Sequence, residues 1–149
     1  MIHLFFEGRL KNRKLYESFS EEVVGELFPR EFPKREILIG VLFKNVVDEG
    51  IYGQAICEDD DEYLIEIAKF VRDGGELRPT TALEIATTIA HELTHIRQYV
   101  RRELNAQLTR WKGQRVPYGP RGGLKMRYES APWEQEAFYM EKELTDAFW

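Results

Sequence analysis

The sequence has little cysteine and no long apolar run, and each absence excludes a class of protein. Cys57 is the single cysteine, so a scaffold held together by internal disulfides is excluded. No stretch approaches the roughly eighteen continuous apolar residues that a membrane-spanning helix needs. The opening residues reach Glu7 too early to hold the apolar region of a secretory signal. We therefore expect an intracellular (cytoplasmic) protein without a membrane span.

The composition is that of an ordinary globular domain. Hydrophobic residues make up 43% of the 149 residues and charged residues 32%, which is too apolar for a disordered chain. A chain of this length buries roughly two-thirds of its unfolded surface and needs no crosslink to fold. We find no internal repeat and no linker, and we predict a single domain over residues 1–149.

Hydrophobic periodicity predicts an α+β fold. Residues 16–28 have the apolar spacing of a short helix. Three segments rich in Ile, Val, Leu, Tyr and Phe are typical of strands, namely 35–43, 50–57 and 62–70. Because short turn-like stretches separate them, we predict antiparallel hairpins and a small antiparallel sheet. The acidic run 58–62 is interpreted as a solvated turn, with calcium binding as the alternative.

Two further helices are predicted in the second half of the chain. Thr81 and Glu84 form a capping-box pattern, and apolar residues then recur with the helical period as far as Leu104. Residues 105–130 are rich in glycine and proline and are predicted to be irregular. The last helix is predicted to begin near Pro132.

The first of these two helices contains the sequence His91-Glu92-Leu93-Thr94-His95, an HExxH motif. Histidines four residues apart lie one above the other on a helix, close enough to share one metal ion. Glu92 points to a neighbouring sector, where it can take a proton from a metal-activated water. The apolar stripe centres near Leu93, about 160–200° from the histidines. We therefore expect the histidines to face away from the main core and to line a cleft on the solvent side.

A catalytic zinc site needs a third protein ligand and an open position for water. The only other histidine is His3, far upstream. Gln98 and Arg101 stand where the longer HExxHxxGxxH signature has glycine and histidine. A carboxylate from the last helix is therefore expected. Glu134 and Glu136 lie on either side of the apolar stripe of that helix, so periodicity leaves both open.

The HExxH motif followed by Pro132-Trp-Glu134-Gln-Glu136-Ala137 resembles small zinc metallopeptidases of the gluzincin type, which bacteriophages and bacteria encode. The resemblance covers roughly residues 36–149. It implies a zincin-like fold, in which a small sheet packs on an active-site helix and on a C-terminal glutamate helix. It also implies a Zn²⁺ cofactor, hydrolysis of peptide bonds, and a ligand at the first glutamate of an ExxA pattern, here Glu134.

The predicted site therefore has His91, His95 and Glu134 as zinc ligands and Glu92 as the general base of a metalloendopeptidase. Its expected partner is a peptide or protein substrate. Many gluzincins use a further histidine to stabilise the oxyanion, and none remains in this sequence. The alternative donors are Tyr128, Tyr118 and Arg102.

A basic segment leaves a role for nucleic acid open. Residues 97–127 contain nine lysine or arginine residues and one acid, within a chain of net charge −5. Such a segment can contact nucleic acid or an acidic substrate, but because the whole chain is acidic we favour a solvated loop. Two other functions are therefore kept as alternatives: a DNA-associated protease similar to the SprT-like proteases, and a catalytically silent zinc-binding regulatory or phage accessory module.

Overall fold

The structure, a computed structural model, describes residues 1–29, 35–48, 50–116 and 130–149 and has a mixed α+β fold. Its elements in chain order are β1 (Ile2–Glu7), α1 (Arg13–Leu27), β2 (Ile37–Lys44), β3 (Gly53–Asp59), β4 (Glu62–Ala68), β5 (Phe70–Asp73), β6 (Glu76–Pro79), α2 (Ala82–Val100), β7 (Arg110–Trp111), β8 (Gln114–Arg115) and α3 (Pro132–Phe148). None of the helices in these ranges is long and apolar enough to cross a membrane.

The main sheet has four strands in the order β1-β2-β4-β3. Both β1 and β4 pair with β2 in parallel, and only β3 pairs antiparallel, with β4. The predicted small antiparallel sheet is therefore wrong except for the β3–β4 hairpin. The connection from β2 to β3 covers residues 45–52, which is longer than the hairpin loops of about two to five residues. It carries the chain to the edge of the sheet, and β4 returns between β2 and β3.

The strand β1 lies outside the predicted elements, although its sequence carries the signal of a strand. Ile2, Leu4 and Phe6 alternate along it and pack against the core. The helix α1 connects β1 to β2, which gives a β-α-β unit and explains why the two strands are parallel.

The main core lies between one face of the sheet and the helices α1 and α2. In β2, every second residue is buried, as the two-residue period of a strand requires. These buried residues are Ile37, Ile39, Val41 and Phe43.

The helix α2 is buried on two sides. Its apolar stripe, which includes Ile89, Leu93 and Ile96, packs into the main core, and its opposite face packs on α3. The prediction that His91 and His95 lie on the solvent side is therefore wrong, because each is only 7% exposed. They do face away from the sheet, but a second helix covers them.

The start of α2 is fixed by the predicted capping box. The hydroxyl of Thr81 accepts a hydrogen bond from the Glu84 N–H at 3.1 Å, and the Glu84 carboxylate accepts one from the Thr81 N–H at 2.9 Å. The helix ends at Val100, four residues before the end of its apolar pattern. Arg102 has a φ of 58°, a left-handed conformation that stops a right-handed helix.

The capping carboxylate makes the stability of this region depend on pH. Arg78 donates two hydrogen bonds to Glu84, at 2.8 and 2.9 Å. They lower the pKa of Glu84 from 4.5 to about 2, although burial opposes the change. Because the folded pKa lies below the unfolded one, this stabilisation is present above about pH 4.5 and is lost as the pH falls towards 2.

We therefore expect the free energy of unfolding of the metal-free protein to fall more steeply over this acidic range than that of the Arg78→Met variant. Urea unfolding at a series of pH values in the presence of a chelator measures both slopes. Equal slopes for the two proteins would contradict this account of Glu84.

Candidate metal centre

Three side chains meet between α2 and α3. The Oε1 atom of Glu134 lies 2.9 Å from Nε2 of His91 and 3.0 Å from Nε2 of His95, and the two Nε2 atoms are 3.2 Å apart. All three residues are at most 7% exposed. This group could hold a metal ion, and it is the one cluster of His, Cys, Asp or Glu among the described residues whose geometry allows that.

The first turn of α3 places Glu134 opposite the histidines. Pro132 occupies the first turn of the helix, where its missing N–H costs nothing. Trp133 is 1% exposed and packs with Leu104 and Trp111 in a second hydrophobic cluster, which anchors this end of α3. Ala137 is fully buried, so a small side chain lies one turn after Glu134. The position of Glu134 is thus set by the packing of its neighbours.

Each histidine ring has a hydrogen-bond acceptor at Nδ1, the ring nitrogen that does not face Glu134. The Nδ1 atom of His91 lies 2.7 Å from Oε2 of Glu141, and the Nδ1 atom of His95 lies 2.8 Å from Oε1 of Gln98. A carboxylate and an amide oxygen only accept, so both Nδ1 atoms donate the proton. In a neutral imidazole this leaves a lone pair on Nε2. Two such lone pairs and the oxygen of Glu134 then converge on one position, which a metal ion could occupy.

The orientation of Gln98 is itself determined by its surroundings. Its Nε2 donates to the carbonyl oxygen of Trp133 at 3.0 Å and to Oε1 of Glu136 at 3.1 Å. The amide oxygen therefore has to face His95. Glu136 also accepts from Arg97 at 3.5 Å. Of the two glutamates that the sequence left open, Glu134 lies at the histidines and Glu136 orients the amide behind one of them.

Without a metal, the pKa values of the two histidines and of Glu134 are shifted in opposite directions. Burial lowers the pKa of His91, but the hydrogen bonds to Glu134 and Glu141 outweigh it and raise that pKa from 6.5 to about 10. Burial raises the pKa of Glu134, but the hydrogen bonds from His91 and His95 outweigh this effect and lower that pKa to about 2. The pKa of His95 is raised by the same carboxylate against the effect of burial. A proton thus takes the place of a metal cation in the metal-free cluster.

Glu92 lies beside the cluster, but its surroundings differ from those of Glu134. It is 6% exposed, and burial raises its pKa above the ordinary value while the nearby His95 and His91 lower it. No hydrogen bond to its carboxylate is found in the described part of the chain. A buried carboxylate with a raised pKa and free lone pairs can accept a proton near neutral pH.

A cavity of about 520 Å³ gives access to this region. It lies between residues 50–53, the first half of α2 and the middle of α3, and His91 and Glu92 form part of its wall. This volume falls within the range of small-molecule and peptide sites. A ligand in the cavity can therefore contact the cluster.

Of the other residues that were predicted for the site, only Arg102 lies in the described part of the chain. Tyr118 and Tyr128 lie outside the described residues, as does the basic segment beyond residue 116. Arg102 is exposed and lines a separate cavity beside the acidic turn 58–61. Oxyanion stabilisation by one of the tyrosines, and the role of the basic segment, stay predictions.

Gln98 and Glu141 were not predicted to be partners of the histidines. Both have a signal in the spacing. Gln98 follows His95 by three residues on α2 and therefore lies on the same face of that helix. Glu141 follows Glu134 by seven residues, about two turns, and therefore lies on the same face of α3 as Glu134.

Comparisons of the chain with protein-family models, with curated proteins and with solved structures give no match. The interpretation of the cluster therefore depends on its geometry and chemistry alone.

Glu134 and Glu136 on α3 provide a matched pair of variants. We expect Glu134→Gln to weaken binding of Zn²⁺ or Co²⁺ by more than about 100-fold, because it removes the anionic donor and not only an outer partner, whose loss costs about 10–100-fold. Glu136→Gln should bind metal nearly as tightly as the wild type, since an amide oxygen still accepts from Gln98. Competition titration with a chromophoric chelator measures both affinities. Equal losses in the two variants would refute this assignment of their roles.

Gln98 allows a separate test of the outer hydrogen bonds. Gln98→Met has a similar size but offers no acceptor to His95, so we expect metal affinity to fall about 10–100-fold in a protein that still folds. The exposed Gln107 supplies the control, because Gln107→Met should change nothing. Circular dichroism checks the fold, and the same chelator titration gives the affinity. An unchanged affinity in Gln98→Met would show that this contact does not orient the histidine.

Proposed function

We propose that this protein is a zinc-dependent metallopeptidase, with His91, His95 and Glu134 as zinc ligands and Glu92 as the general base. The observation that carries the proposal is the convergence of two histidine Nε2 atoms and one carboxylate oxygen within 3.2 Å of one another. The glutamate next to the first histidine lies in the wall of the adjoining cavity.

The donor set favours zinc. Two imidazole nitrogens and one carboxylate oxygen are a common ligand set for catalytic zinc. A tetrahedral ion with bonds of about 2.0–2.2 Å needs ligand atoms about 3.3 Å apart, and the separations of 2.9–3.2 Å require only small adjustments. Three protein ligands leave a fourth position for water, as in catalytic sites and unlike closed structural sites.

Zinc bound there would supply Lewis acidity, which lowers the pKa of a coordinated water and polarises a carbonyl group. Glu92 accepts a proton from the attacking water, because it lies in the cavity wall directly after His91 in the sequence. It then returns the proton to the departing amine. Glu141 and Gln98 keep the two imidazoles in one tautomer and orientation throughout.

The position of β3 supports binding of an extended peptide. β3 is the last strand in the order of the sheet, and the segment 50–53 that leads into it forms part of the cavity wall. An extended chain can pair with such an edge through main-chain hydrogen bonds. Gly53 lies so close to α2 that a Cβ atom there would be 2.6 Å from Cγ2 of Thr88. The strand edge and the HExxH helix are thus held together in the wall of the cavity.

The zincin-like fold stays part of the proposal. A small sheet, an HExxH helix and a following helix with Glu134 occur here in the order that the resemblance implies, which supports the proposal. A silent zinc-binding module would have the same ligands, but it has no need of Glu92. That residue favours the enzyme.

The decisive experiment separates metal binding from turnover. In Glu92→Gln we expect one zinc per chain, as in the wild type, while cleavage of a proteome-derived peptide library falls by about 10²–10⁴-fold. Zinc is measured by atomic emission, and cleavage by mass spectrometry. The exposed Glu143 on α3 serves as a control, because Glu143→Gln should retain full turnover.

Two outcomes would contradict the proposal in different ways. A wild-type protein that binds zinc and cleaves no peptide would favour the silent module. Full cleavage by Glu92→Gln would show that another group is the base.

A further inference from the structure

The cavity beside the cluster has an unusual share of exposed apolar side chains. Ile51, Tyr52, Leu83 and Phe138 are each 36–56% exposed and all contribute to its wall. They come from three separate parts of the fold: the segment before β3, the start of α2, and α3. Large apolar residues exposed together around a concave site are typical of a ligand-binding surface.

The cavity is long enough to take a side chain next to the reacting bond. It follows α2 from Leu83 to Glu92, a rise of roughly 13 Å at 1.5 Å per residue. The metal cluster lies at the far end, where the ring of Phe138 is 5.0 Å from the ring of His91. The apolar wall is therefore continuous with the proposed zinc site.

The charges along the wall do not favour a charged ligand. Glu84 is paired with Arg78, and Glu141 is paired with His91. No lysine or arginine is found among the described residues that line the cavity. An acidic side chain would find no unpaired cation there. A basic side chain beside Leu83 would meet Glu84, which is already paired with Arg78, and one that reached Glu92 would neutralise the proposed general base. Burying an acidic side chain, or a basic one beside Leu83, would therefore cost desolvation energy without a new ion pair.

We propose that this cavity is a specificity pocket for a bulky aliphatic or aromatic side chain of the substrate, at a residue adjoining the cleaved bond. Leu83 and Phe138 are its specificity-determining residues. The inference rests on the proposed peptidase function for the position of the cleaved bond. The occupant is identified by the apolar wall, by the absence of an unpaired cation, and by continuity with His91 and Glu92.

The first test compares two leucines of similar exposure. Leu83 lies in the pocket and is 56% exposed, whereas Leu77 on β6 is 50% exposed and lies outside it. We expect the zinc-loaded Leu83→Gln variant to lose about tenfold in kcat/KM for peptides with Leu or Phe at the selected position. It should lose far less for matched peptides with Ala there. Leu77→Gln should behave as the wild type.

A second test needs neither zinc nor turnover. Methyl NMR of the metal-free protein follows Ile51 and Leu83 during titration with N-acetylleucinamide and with its near-isosteric polar counterpart, N-acetylasparaginamide. We expect saturable chemical-shift changes at both residues with the leucine compound. Its half-saturating concentration should be at least about fivefold lower than that of the asparagine compound. In Leu83→Gln the preference should disappear.

The two tests distinguish failure of the pocket from failure of the enzyme. No cleavage together with selective binding of the leucine compound would overturn the peptidase and retain an apolar binding pocket. Equal binding of the two compounds, or equal effects of the Leu83 and Leu77 substitutions, would overturn the pocket. So would a dimer in sedimentation experiments that is abolished by Leu83→Gln, since the apolar wall would then be an interface between copies.

Discussion

Three electron-pair donors meet at one point inside this protein, and a positive charge between them relieves their mutual repulsion. The Nε2 atoms of His91 and His95 face the carboxylate of Glu134 because their Nδ1 atoms are already committed to acceptors. Burying such a group without a positive charge would be costly. Protons supply this charge when no metal is present, and a metal ion could supply it by interacting with all three donors at once.

The fold supports this arrangement by burying α2 on both sides. The apolar stripe that includes Leu93 holds the helix on the sheet, and the opposite face meets α3. Gln98 is fully buried and connects the two helices by hydrogen bonds to Trp133 and Glu136. A buried polar network of this kind is favourable only when its members have partners. The rotation of α3 about its axis is therefore set by polar contacts as well as by packing.

The cavity wall and the histidine cluster occupy successive parts of the helix α2. The second half of α2 carries the histidine cluster, while its first half, from Leu83 to Thr88, forms one wall of the cavity. The edge of the sheet at Gly53 forms another wall. A ligand that fills the cavity is thereby placed with one end at Glu92. The helix α2 therefore fixes the distance between the apolar part of the cavity wall and the proposed reacting groups.

The sequence by itself determined the features that depend on near neighbours along the chain. The capping box at Thr81, the pairing of two histidines one turn apart and the start of α3 at Pro132 follow from contacts within about four residues. Tertiary structure alone decided the order of the strands and the covering of the histidines by α3. It also showed that Glu134, which the resemblance favoured, lies at the histidines and that Glu136 lies behind one of them. The physical reason is that these depend on how elements some forty residues apart are placed and rotated against each other, which helical periodicity leaves undetermined.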